Sequence, residues 1–286
     1  MPALEIVTAV AAILAVAVIA WLFKKFDRSP ELNPGHYKAV TLIKKKVVSK
    51  NAERPTVFLT FNTNVTDFPT GAHVSCKFVE GKKKVIRPYT PTRFSTSECE
   101  LMVRVYPEGA MTQHMAKLEV GDTLLIKGPT GNKRYGHASP GTLTKILKTG
   151  DLNVHFKTIL MFAGGTGITP MLQICNHIIK DEKDQTRCIL LVANSTPEDV
   201  MLYEEIKKLP ERSKGLIDVK FTVSRPCDDW KGKHLSGRCN LEMIKSLCPP
   251  PSKDVVSAIC GPLGFDKAVT SALLTLGHEK ERIWRW

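Results

Sequence analysis

Three hydrophobic patterns follow one another along this chain of 286 residues. Ile6 to Phe23 is an almost unbroken apolar run, interrupted only by Thr8. From Tyr37 to Ile126 the apolar positions come in short segments separated by turn residues: Tyr37–Ile43, Thr56–Phe61, Val74–Val79, Leu101–Tyr106 and Leu124–Ile126. Such segments predict the strands of a small antiparallel β-barrel. From Thr158 onward, short apolar runs alternate with stretches whose apolar residues recur at spacings of three and four. The runs Ile159–Ala163, Cys188–Ala193, Val219–Val223 and Val255–Cys260 predict strands. Ile168, Met171, Leu172, Ile174 and Ile178 share one helical face, and Val200–Leu209, Leu241–Leu247 and Phe265–Leu276 predict further helices. Strand–helix alternation predicts a parallel sheet with a nucleotide site at the carboxyl ends of its strands. Ala138 to Asn153, between the two patterns, reads as a further strand pair or an extended linker.

The leading run is 18 residues long, near the lower limit for spanning a bilayer. Trp21 and Phe23 close it, and Lys24 and Lys25 follow. By the positive-inside rule, the remainder of the chain is expected on the cytosolic side. The expected layout is an N-terminal transmembrane helix with its basic flank over 1–28 and a Pro-containing linker over 29–36. An antiparallel β-barrel domain and connecting segment follow over 37–153, then an α/β parallel-sheet domain over 154–286.

Composition narrows the chemistry. The chain is 43% hydrophobic and 24% charged, as in a globular protein. Its 41 basic and 28 acidic residues give a formal charge of +13, which implies an anionic cofactor, an acidic partner or a membrane surface. Basic residues are spread along the chain without a nucleic-acid-reading motif, so no nucleic-acid partner is expected. The eight cysteines include no C-x-x-C pair and the histidines are scattered, so no metal site is expected.

Four stretches carry candidate chemistry. In Thr158–Pro170 a strand runs into Gly164, Gly165, Thr166, Gly167 and then an amphipathic helix ending the motif at Pro170. That junction brings bare backbone to a helix start, where an anion or cofactor can approach. In Arg87-Pro88-Tyr89-Thr90-Pro91, Arg87 offers a fork for phosphate, Tyr89 a flat ring and Thr90 a hydrogen-bonding edge. In Arg104-Val105-Tyr106-Pro107-Glu108-Gly109-Ala110-Met111-Thr112, a strand gives way to a helix starting at Thr112, a second anion seat. The fourth is Cys260-Gly261-Pro262 after the last strand; no histidine accompanies Cys260, so packing or smallness beside a ring suits it better than nucleophilic attack. Lys82–Lys84 read as a solvated hairpin.

In this order, R-x-Y-T, Y-P-x-G-x-M-T, G-G-T-G-I-T-P and C-G-P resemble the ferredoxin–NADP reductase-like flavoenzymes, and within them the NADH–cytochrome b5 reductase family. The resemblance runs from about Tyr37 to Trp286. It implies a flavin-binding barrel and a nicotinamide-binding α/β domain, with FAD bound and NADH as donor. Electrons would pass by hydride to the flavin and then singly to cytochrome b5 or a similar acidic haem protein. It also implies a monomer held on the endoplasmic reticulum or outer mitochondrial membrane. Arg87, Pro88, Tyr89 and Thr90 would hold the flavin and its pyrophosphate, with Val105, Tyr106, Gly109, Met111 and Thr112 as the second flavin segment. Gly164, Gly165, Thr166, Gly167 and Pro170 would form the nicotinamide turn, with Gly261, Pro262 and the terminal Trp286 beside it. Thr90, Thr166 and Cys260 would lie at the reacting rings. Ser224 and Arg225 would face the adenosine ribose, where close relatives often carry an acid; NADPH is therefore expected as a weaker donor. A related NAD(P)H-dependent flavin reductase serving another haem or redox acceptor is the alternative, and a non-enzymatic nucleotide-binding tether a remote one.

Overall fold

The computed structural model describes residues 30–48, 53–64 and 68–286. The first sheet contains β1 (Lys38–Val47), β2 (Thr56–Asn62), β3 (His73–Glu80), β4 (Lys83–Tyr89), β5 (Arg93–Phe94), β6 (Glu98–Arg104) and β7 (Thr123–Thr130). They are ordered β4-β3-β7-β1-β2-β6-β5, and every neighbouring pair is antiparallel. Their inward side chains, among them Val40, Leu42, Leu59, Phe61, Val74, Leu101 and Ile126, share one core. Helix α1 (Ala110–Lys117) adds Met111 and Met115 to it.

β4 is an edge strand, which explains how it carries Pro88: a residue without an amide hydrogen costs the ladder nothing on its open side. The lysine run expected as a hairpin is therefore partly strand, since Lys83 and Lys84 pair with Glu80 and Val79. A three-stranded antiparallel sheet follows, with β8 (Lys133–Tyr135), β9 (Thr142–Lys145) and β10 (Leu152–His155). Of the two readings of Ala138–Asn153, the strand pair is the one observed.

The remaining, six-stranded sheet is parallel throughout. It contains β11 (Thr158–Gly164), β12 (Arg187–Asn194), β13 (Ile217–Val223), β14 (Leu235–Ser236), β15 (Val255–Cys260) and β16 (Ile283–Arg285), ordered β14-β13-β12-β11-β15-β16. Alternate strand residues feed two separate cores, Met161 and Leu190 on one face and Leu160 and Leu191 on the other. Helix α2 (Ile168–Lys180) buries Ile168, Met171, Ile174 and Ile178 of the stripe that its spacing predicts, while Leu172 is half-buried. The interior strands are apolar on both faces because helices and loops cover both.

Two local expectations are corrected. The helix expected over Val200–Leu209 is instead a 3₁₀ turn, Pro197–Asp199, followed by α3 (Tyr203–Lys207) and α4 (Leu209–Arg212). The carbonyl of Asp199 accepts a hydrogen bond from Arg104 Nη2 at 2.9 Å, and Leu202 adopts a left-handed conformation with φ 57°, so no continuous helix forms. The helix expected to start at Thr112 begins at Ala110, with Gly109 as its N-cap. Thr112 instead ties down the preceding loop: its Oγ1 donates to Gly109 O at 3.0 Å and accepts from Tyr106 N at 3.1 Å.

The transmembrane expectation is also corrected. Among the described residues, no helix is long and apolar enough to cross a membrane. Ile6–Phe23 lies outside the described residues. The membrane tether, and the endoplasmic reticulum or outer mitochondrial location drawn from it, therefore form no part of the functional account below.

Candidate functional site

A cleft of about 990 Å³ opens where the first sheet meets the carboxyl ends of β11 and β15. One wall comes from Arg87, Pro88, Tyr89 and Thr90, at and just beyond the end of β4. The next comes from Tyr106, Gly109, Met111 and Thr112, where the loop after β6 enters α1. The facing wall is Gly164, Thr166, Gly167 and Pro170 with Cys260, Gly261, Pro262 and the terminal Trp286. Residues expected to act together from separate parts of the sequence thus converge on one space.

Each wall has a local cause. Tyr106–Thr112 is fastened internally: besides the Thr112 bonds, Gln113 Nε2 donates to Tyr106 O at 2.9 Å and Gly109 N to the same carbonyl at 3.0 Å. The first helical bond of α1 runs from Gln113 N to Gly109 O at 2.8 Å, so the amides of Ala110, Met111 and Thr112 precede the helical ladder. No acidic side chain occupies that first turn. On the opposite wall, Gly165 takes φ +55°, which lets β11 turn at once into α2. A Cβ on Gly167 would run into the Cys260 carbonyl, and one on Gly261 into Phe265 and the Gly164 backbone. The glycines let β11, β15 and the two following turns touch backbone to backbone.

Four expected residues lie away from the cleft lining. Val105 is buried in the core of the first sheet. Gly165 shapes the turn without lining the space. Ser224 and Arg225 follow β13, where Ser224 Oγ donates to Ser195 O at 3.4 Å and Arg225 N to the same carbonyl at 2.8 Å. The Arg225 side chain is exposed. The cleft also takes in His73, Lys83, Lys84, Val85 and Met102, which have no expected site role in the sequence, and Arg104, Glu108, Ala110 and Thr169 from within the expected motifs. Lys83 and Lys84 reach it because they sit on the same edge strand as Arg87, a pairing visible only once β4 is recognised. His73 is drawn in by β3 and has no sequence signal; burial, with Arg134 and Lys133 nearby, pushes its imidazole below its ordinary value.

The electrostatics favour an anionic, flat ligand. Arg87, Lys83 and Lys84 supply positive charge along one side, against one lining carboxylate, Glu108. Burial pushes the Tyr89 hydroxyl well up, so it stays a neutral ring and hydrogen-bonding group. Burial also raises the Cys260 thiol to about 11, helped by Asp266 and opposed by Lys133, so no thiolate is available at neutral pH. No acid–base pair is needed for hydride transfer, and this donor set has the character of a flavin and nicotinamide site: cations and free helix amides for phosphates, bare glycine backbone for close approach, aromatic faces for rings.

The two domains are joined by polar contacts, some at this cleft and some outside it. Trp286 Nε1 donates to Gly71 O at 3.3 Å, and Gly71 N donates to Gln173 Oε1 at 3.1 Å. Thr70 Oγ1 and His177 Nδ1 are 3.1 Å apart. Arg104 Nη1 lies 3.1 Å from Asp199 Oδ1, with both side chains buried.

Residues 39–135 match the family model for an oxidoreductase FAD-binding domain, and residues 161–271 the model for an oxidoreductase NAD-binding domain. NADH–cytochrome b5 reductase 1 of Arabidopsis thaliana is 33% identical over 253 residues, covering 87% of this chain and 84% of that protein. NADH-cytochrome b5 reductase 2 of Mus musculus is 34% identical over 277 residues, covering 91% and 98%. Among solved structures, the cytochrome b5 reductase domain of Ulva prolifera nitrate reductase is similar, with a TM-score of 0.78, 31% identity and coverage of 90% of this chain and all of that domain. With an FAD-binding domain, an NAD-binding domain and near full-length similarity to these reductases, the chain belongs to the NADH–cytochrome b5 reductase family.

Proposed function

We propose that the chain oxidises NADH through FAD held in the cleft and delivers the electrons to cytochrome b5 or a similar acidic haem protein. The carrying observation is the convergence of the Arg87–Thr90 segment, the start of α1 and the Gly164–Gly167 turn on one space. Bound FAD would supply the chemistry, taking two electrons from NADH as hydride and giving them up one at a time.

The chain's own residues bind, orient and exclude water. Arg87 and the first amides of α1 hold the flavin pyrophosphate, by charge-assisted bonds on one side and backbone donors on the other. The Tyr89 ring and the Thr90 hydroxyl fix the flavin plane and edge. Thr166, in the turn after β11, and Cys260, at the end of β15, stand where the nicotinamide meets the flavin. Gly164, Gly167 and Gly261 leave that face without side chains, so two rings can come into contact. Pro262 stiffens the turn after β15, Pro170 stiffens the first turn of α2, and Trp286 covers the space from the carboxyl end. Ser224 and Arg225, at the carboxyl end of β13, face the adenosine ribose of the donor, as the strand ends of a parallel sheet do. The relatives' names add the acceptor, and the chain's charge of +13 suits it: a cationic surface steers an acidic haem protein toward the cleft.

The purified protein should be yellow and release FAD on denaturation, identified by chromatography. Recovery of FMN alone, or of no flavin after reconstitution, would overturn this reading.

A further inference from the structure

We infer that Lys45 is a positioning residue for bound FAD and acts through helix α1. The inference rests on the reading proposed above, in which the first amides of α1 hold the flavin pyrophosphate. Lys45 belongs to β1 and does not line the cleft. Its Nζ donates to the carbonyls of Ala116 at 2.9 Å and Leu118 at 2.8 Å, and to Glu119 Oε1 at 3.2 Å. The helix runs from Ala110 to Lys117, so both carbonyls stand at its carboxyl end, where the helical ladder supplies no amide. A cation there also meets the negative end of the helix dipole. The Lys45 side chain is only 20% exposed, so the contact is a built one and not a passing surface pair.

A β-bulge aims this side chain. Along β1, Leu42 stands opposite Phe61 and Lys44 opposite Thr60, so Ile43 is an extra residue on that strand. Before the bulge, Val40 and Leu42 face the core. Strict alternation would turn Lys44 inward and Lys45 outward. Past the bulge, Lys45 stands opposite the core residue Leu59 and shares its side of the sheet. Lys44 and Lys46 are exposed, and Lys45 is half-buried. The turn after α1 is fastened to the same strand: Gly121 N donates to Leu42 O and Leu42 N to Asp122 O, both at 2.8 Å. Met111 and Met115 are buried along the helix, and the Thr112 and Gln113 side chains bind the Tyr106 backbone at its start. A helix of eight residues is about 12 Å long. Held at its carboxyl end, its buried side and its first turn, it presents its leading amides in one direction. Without the Lys45 ammonium two carbonyls lose their donor, the carboxyl end loosens, and the amides that meet the pyrophosphate lose their fixed aim.

The test uses the full chain freed of its flavin and the variants Lys45→Met, Lys45→Arg and Glu119→Gln. Equilibrium dialysis gives dissociation constants for FAD, for ADP, which carries the pyrophosphate without the ring, and for riboflavin, which carries the ring without phosphate. Lys45→Met should weaken FAD and ADP by the same factor, about fivefold, and leave riboflavin within about twofold. That factor should be the same at low and high salt, because salt screens a distant charge and not a hydrogen-bonded cap. Lys45→Arg keeps a cationic donor and should restore most of the affinity. Glu119→Gln removes only the exposed ion pair and should leave all three constants within about twofold. If Lys45→Met does not accumulate, Lys45→Gln, whose shorter side chain also lacks the charge, reads the same ratios. Unchanged FAD affinity without the lysine would overturn the inference. Equal weakening of riboflavin would overturn it in favour of a general brace of the domain. A loss confined to low salt would overturn it in favour of a distant charge on the phosphate, and an equal loss in Glu119→Gln in favour of the ion pair. A wild-type chain that binds neither FAD nor ADP would instead overturn the functional reading on which the inference rests.

Discussion

The carbonyl of Cys260 occupies the position that a Cβ on Gly167 would need. One residue ends the turn after β11 and the other ends β15, so the two strand ends that frame the proposed nicotinamide face are in backbone contact. Gly167→Ala must push them apart, since a backbone carbonyl cannot move aside as a flexible side chain can. The variant should retain FAD, whose other wall is intact, and lose at least about tenfold in kcat/KM for NADH, about 1.4 kcal/mol. Flavin spectra and steady-state rates check both parts.

Arg87 is exposed at the cleft edge and is assigned to the flavin pyrophosphate. Arg87→Ala should weaken FAD retention by about 1.5–3 kcal/mol, the worth of a hydrogen bond to a charged group. Equilibrium dialysis of the apoprotein with FAD measures this directly. Unchanged FAD affinity would remove Arg87 from the site.

Burial holds the Cys260 thiol at about 11. Cys260→Ala should therefore keep kcat within about tenfold of the wild type, and the wild-type rate should show no thiol ionisation between about pH 6 and 9. The same burial acts on stability. Cys239 is raised to about 11 and Cys99 and Cys248 to about 12, against an ordinary value of 9.0. Above pH 9 the unfolded thiols lose protons that the folded ones retain, so the folded state binds more protons and stability falls as pH rises. Tm should decline from about pH 9 upward; a level profile to pH 11 would contradict the burial of these thiols.

Ser224 supplies no negative charge to repel a 2′-phosphate, and Arg225 beside it is exposed. The chain should prefer NADH with weaker discrimination against NADPH than an acidic strand end would give. Ser224→Asp should lower kcat/KM for NADPH more than for NADH, each tenfold change in selectivity being about 1.4 kcal/mol. An equal loss with both donors would show that Ser224 does not read the 2′ position.

Much of this architecture is legible in residue order because it rests on short-range rules. Gly164 to Pro170 announces a strand–turn–helix by itself, and the spacing from Ile168 to Ile178 gives the buried face of α2. The edge strand β4 is hidden because its outward residues are Lys, Ile, Arg and Pro, and only pairing with β3 makes it a strand. The break at Asp199 is hidden for a related reason: it depends on Arg104, 95 positions earlier, and no local propensity records that partner. His73 joins the cleft by the same kind of long-range placement. Motifs that act through their own backbone can be read from sequence, whereas contacts between domains cannot.

The most direct test of the account is anaerobic rapid mixing of the FAD-loaded protein with NADH, followed by oxidised cytochrome b5. The account predicts that NADH bleaches the flavin absorption in a single turnover and that the haem then reduces at the expense of the stored electrons, more slowly as ionic strength rises. Flavin that stays oxidised in saturating NADH would contradict it. So would reduced flavin that passes no electrons to the haem.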